Sequence, residues 1–118
     1  MSFFPIIELV DRLVIAKVKW KRTQLNKEEL DWYQGQMLNF DISKISQELI
    51  ELGHIHNSIW NLEAELKSNQ EQKLSLEEIG RRAIEIRNLN SQRVKLKNQM
   101  AEMLNCKVRE IKKDHLSQ

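Results

Sequence analysis

Residues 75–104 read SLEEIGRRAIEIRNLNSQRVKLKNQMAEML, and residues 43–68 ahead of them read SKISQELIELGHIHNSIWNLEAELKS. In the first stretch Ser75 and Glu78 have the spacing of a capping box, in which the serine side chain accepts from a free helix N–H and the glutamate reaches back; Leu74 can staple onto Ile79. Ile79, Ala83, Ile86, Leu89, Leu96, Met100 and Met103 then keep helical spacing to about Leu104. That predicts a single helix of about 29 residues, about 43 Å long. The second stretch carries Ile45, Leu49, Leu52, Ile55, Ile59, Leu62 and Leu66 at intervals of four and three, close to the repeat of helices packed along a seam. The polar link from Asn69 to Lys73 is short, so the two stretches are expected to fold as an antiparallel hairpin.

The rest of the chain extends the helical reading. Only three glycines and one proline occur in 118 residues, so the punctuation that sheets and loops require is nearly absent. Pro5 suits the first position of a helix running to about Thr23, with Ile6, Leu9, Val10, Leu13, Ala16 and Trp20 on one face and Ile7, Val14 and Val18 widening it. A face that wide predicts burial on more than one side. Asn26 and Glu29 are spaced as a capping pair for a second helix over about 27–40, and Asp41 or Ser43 can cap the third. Val108 to Leu116 is expected to form a short C-terminal helix. The fold class is therefore all-α: one helical bundle domain, 1–118, built on a long hairpin of about 43–68 and 76–104.

Charge supports the same pairing. Residues 1–25 carry five basic and two acidic groups, 26–80 four and eleven, and 81–118 ten and four, giving +3, −7 and +6. An acidic third helix beside a basic fourth has favourable flanks, although an exposed pair contributes only about 0.2–1 kcal/mol. With 41% hydrophobic and 31% charged residues the chain should fold and stay in water. No apolar run approaches the roughly 20 residues of a membrane span, Met1 to Ile7 lacks the pattern of an export signal, and the lone Cys106 suits a reducing compartment. The expected location is the cytoplasm.

If the hairpin folds about residue 72, His56 falls near Asn88, and His54, His56, Asn88 and Asn90 interrupt the seam at mid-length with Glu51 and Arg93 a turn away. One reading is a small-ligand or enzyme site in which these groups hydrogen-bond a ligand and Arg87 or Arg93 receives an anion. The other, weighted above it, is a polar layer that fixes register. Metal binding fits poorly: His54 and His56 point about 200° apart on a helix, and Glu51-Leu52-Gly53-His54 has no second copy to complete a bundle di-iron site. No Gly-rich phosphate loop of either common type is present, which removes the usual nucleotide motifs only; no cofactor is expected. Lys17, Lys19, Lys21 and Arg22 around Trp20 could meet nucleic-acid backbone, but cations at a helix C-terminus complement its dipole anyway, and a net charge of +2 argues against that partner.

Ile7-Glu8-Leu9-Val10-Asp11-Arg12-Leu13, the segment Glu77 to Ala83 and the tail Val108 to Leu116 resemble a family of small uncharacterised bacterial helical proteins, a domain of unknown function. Some of its members are thought to be encoded beside surface-polysaccharide genes. The resemblance implies a helical bacterial accessory protein and carries over no site residue. The leading functional expectation is a protein–protein interaction module that self-associates as a homodimer, burying apolar surface that includes Phe3, Phe4, Trp32 and Trp60.

Overall fold

The computed structural model describes residues 5–68 and 74–104. The described residues form an all-α bundle of four helices: α1 (Ile6–Thr23), α2 (Lys27–Met37), α3 (Ser46–Ser68) and α4 (Leu76–Met103), with a 3-10 turn at Ser43–Ile45 leading into α3. The expected helix at Val108–Leu116, together with Cys106, Phe3 and Phe4, lies outside the described residues.

Local chemistry accounts for the ends. Pro5 stands one residue before α1 and offers its carbonyl to Glu8 N and Leu9 N, at 2.9 and 3.2 Å. The capping box at α4 is complete, with Glu78 N donating to Ser75 Oγ at 3.1 Å and Ser75 N to Glu78 Oε1 at 3.2 Å. Asp41 accepts from Ser43 N at 3.0 Å and Ser43 Oγ at 2.8 Å, which sets the turn into α3. Asn26 departs from the expected cap: its side chain accepts no bond from the backbone N–H groups that open α2. Instead Nδ2 donates to Ala16 O at 3.0 Å and Glu29 Oε1 at 3.1 Å, tying the α1–α2 link back onto α1. α2 also stops at Met37, short of 40. Beyond it the backbone bonds tighten to three-residue steps, and Asn39 Nδ2 competes for Gln36 O at 3.3 Å.

α1 is the central element. It packs against α2, α3 and α4, and buries Ile7, Leu9, Val10, Asp11, Leu13, Val14 and Ala16, a face wider than one side of the helix. Ile45, Leu52 and Ile55 come from the α3 side and Val94, Leu96, Met100 and Ala101 from α4. α3 and α4 run antiparallel, as expected, but their register lies about one helical turn from a fold about residue 72. Arg82 pairs with Glu65 at 2.8 Å, and His56 and Arg93 reach one carboxylate, so His56 sits opposite Arg93 rather than Asn88. Side chains lean toward their own helix N-terminus, which in an antiparallel pair moves the meeting point in this direction.

Candidate functional site: a buried charge cluster at Asp11

α1 brings Glu8 and Asp11 to one face at a spacing of three. α4 brings Asn90, Arg93 and Lys97 at three and four, and α3 brings His56 between them. Asp11 is the centre and is 5% exposed. Its Oδ1 lies 2.8 Å from His56 Nε2; an ionised carboxylate only accepts, so that nitrogen carries the proton. Its Oδ2 accepts from Arg93 Nη1 at 3.1 Å and faces Lys97 Nζ at 3.5 Å. Lys97, 3% exposed, donates to Glu8 Oε2 at 3.0 Å, and Arg93 Nε donates to Asn90 Oδ1 at 3.2 Å.

Burial alone would push the Asp11 carboxyl up. The His56 hydrogen bond and the neighbouring Lys97, His56 and Arg93 charges together outweigh burial and hold it below the usual carboxylate range. Two carboxylates thus face Arg93 and Lys97, with an imidazole on the central acid. A charge this deep is tolerated only when paired and hydrogen-bonded, and here the pairs join three helices at the base of the hairpin.

The structure places the sequence-derived candidates apart. His56 enters the cluster, and Asn90 supports it through Arg93. His54 is exposed at the edge of a groove between α1 and α3. Arg87 is exposed, and Asn88 lines a shallow groove with Ser58, Asn61 and Leu62. Trp32 is 51% exposed and stands edge-on to Tyr33, with ring centroids 5.1 Å apart. Trp60 is half-buried under the Arg22 guanidinium, 5.5 Å from its ring, while Arg22 also donates to Asn57 and Asn61. Lys19 pairs with Glu29 at 3.3 Å, so two of the four cations grouped around Trp20 serve internal contacts.

Asp11, Glu8 and Lys97 were not singled out by sequence reasoning. Their signal is positional: Asp11 lies on the stripe Ile7, Asp11, Val14, Val18, and Lys97 on the stripe Arg93, Lys97, Met100, where a solvated charge would not be placed. Asp11, His56, Arg93, Lys97, Glu8 and Asn90 bond to one another, and the grooves of about 460, 410 and 480 Å³ are lined by other residues. Among the described residues no group of three His, Cys, Asp or Glu side chains is placed to hold a metal ion, and no helix is long and apolar enough to cross a membrane. Comparison with protein families, with curated proteins and with solved structures gives no match to this chain.

Proposed function

We propose that this protein is a self-associating helical interaction module, in which the outer half of the α3–α4 hairpin joins a second copy. The observation that carries the reading is where burial stops. Ile55 is the last buried residue of α3 and Val94 the first of α4. Between them Ile59, Leu62, Leu66, Ile79, Ile86 and Leu89 are partly buried, and Leu76 and Ile84 are exposed. Two helices can cover one seam; a second pair laid against them completes a four-helix bundle, and a two-fold dimer is the commonest way to supply it. The net acidic α3 and net basic α4 favour an arrangement that crosses them between copies. The elongated shape agrees: the radius of gyration is 15.8 Å, against about 13 Å for a compact chain near this length. A bacterial accessory role, as the family resemblance implies, belongs to the same proposal.

The test is light scattering after size exclusion at two protein concentrations. A dimer is expected, and Ile84→Glu, which touches the outer face and spares the hairpin seam, should convert it to monomer with helix content unchanged. A wild-type monomer at micromolar concentration overturns the reading.

A further inference from the structure

A second surface, distinct from the hairpin tip, has the build of a helix-binding groove. It runs between α1 and α3, holds about 480 Å³, and has a floor of Leu13, Val14 and Val18 from α1 and Leu49 and Ile50 from α3. Ile50 is 57% exposed although it faces this floor. Lys17 and Lys21 line it from α1 and the exposed His54 from α3, and no carboxylate is among the residues that line it.

The two lysines are the informative part. They stand four residues apart on one face, an arrangement of like charges that slightly destabilises a helix. Neither makes an ion pair among the described residues, whereas their neighbours Lys19 and Arg22 are both engaged. The helix dipole favours Lys21, but Lys17 lies more than a turn from the end of α1 at Thr23. Internal stability therefore does not explain a cationic edge on an apolar groove.

Gly53 adds a second observation. It lies inside α3, where glycine is disfavoured relative to alanine, and its backbone does not need a glycine. A Cβ there would meet only Val14 Cγ1, at 3.9 Å, which is ordinary contact. Packing does not demand the missing side chain, and its absence leaves the floor of the groove open.

The dimensions select the occupant. Leu13 to Lys21 and Leu49 to Asn57 each span eight helical steps, about 12 Å. Two turns of a docked helix, with anchors at i, i+4 and i+7, span about 10 Å. A small ligand in so open a groove would leave much of its own surface in water, whereas a helix needs only one face covered. Nucleic acid would bring phosphates to the lysines and nothing to the apolar floor. The geometry points to an amphipathic helix of a partner protein, with two or three aliphatic anchors on the floor and acidic side chains against Lys17 and Lys21.

The experiment is fluorescence anisotropy on the full chain with a labelled synthetic helix of about 14 residues, leucines at i, i+4 and i+7 and glutamates flanking them, and with its counterpart in which every glutamate is lysine. The acidic peptide should saturate with a Kd below about 100 µM and bind about tenfold tighter than the basic one, the value of two exposed ion pairs. The Lys17→Glu/Lys21→Glu double variant should reverse that preference. Gly53→Leu should abolish binding; because a side chain at Gly53 also meets Val14 of α1, the exposed Ile50→Asp serves as the second variant and should do the same with helix content intact. Equal binding of both peptides, no binding of either, or indifference to the lysine changes overturns the proposal. So does conversion of a dimer to monomer by Ile50→Asp, which would show a second copy seated in the groove.

Discussion

Asp11 is one of two buried charged residues among the described residues, and its carboxylate is shared by α3 and α4. Replacing it with asparagine keeps the size and one acceptor but leaves Arg93 and the deeply buried Lys97 without their common anion. Removing one partner of a buried pair typically costs about 3–5 kcal/mol, a large part of a small domain's stability, so Asp11→Asn should lower the chemical unfolding free energy by about 3 kcal/mol. The effect has a defined pH dependence. The carboxyl is held below its ordinary value of 3.8, so its contribution is complete above that value and is lost as pH falls through the folded one. The gap between wild type and Asp11→Asn, followed by denaturant titration, should therefore narrow as pH falls below about 4. A gap that widened in acid would contradict the ionised, paired carboxylate. Sequence reasoning found His56 and Asn90 because an imidazole and an amide on an apolar seam are conspicuous. It passed over Asp11 and Lys97 because a charged residue next to Arg12 or Lys95 reads as solvated until the third helix crossing it is known.

The helices themselves were legible, and for a physical reason: with few glycines and one proline, periodicity had no competing signal, and α1, α3 and α4 appear with nearly the expected bounds. The strongest local signal, the Ser75 box, formed as expected, and Ser75→Ala should cost about 1 kcal/mol by leaving Glu78 N without its acceptor. The weaker cap at Asn26 lost to a tertiary partner, since its amide gains a bond to Ala16 O that no local pattern announces. α1 ends at Thr23 as expected, but the conformation that closes it was not visible in the sequence. Gln24 adopts the left-handed conformation, φ 55° and ψ 29°, so that its N–H can close onto Trp20 O at 3.0 Å. A side chain is strained there and glycine is not. Gln24→Gly should accordingly raise the thermal midpoint, by about 1 kcal/mol of stability or roughly 4–8 °C, in a scanning calorimetry comparison. A midpoint that falls would mean that the glutamine side chain contributes more than its backbone costs.

At the scale of the whole molecule, stability is divided along the hairpin. The base of α3 and α4 is gripped by α1 through both the apolar core and the Asp11 cluster, while the outer stretch, residues 57–67 with 76–93, has one seam and no fully buried side chain. That division could not be read from the periodicity, because the same heptad-like stripe continues through both halves; what distinguishes them is where α1 lies, a long-range fact. Segments with few buried contacts open locally at less cost than the core. Amide hydrogen exchange should therefore show lower protection in 57–67 and 76–93 than in 7–16 and 94–101 when the protein is dilute. Self-association through the outer hairpin adds a second requirement. Binding a second copy stabilises only what the interface covers, in proportion to concentration, so protection of the outer stretch should rise as the protein is concentrated while that of the base stays fixed. Uniform protection at every concentration would mean that the outer hairpin neither opens independently nor meets a partner copy. Protection that rises around Ile50 and Val14 instead would move the self-contact to the groove between α1 and α3.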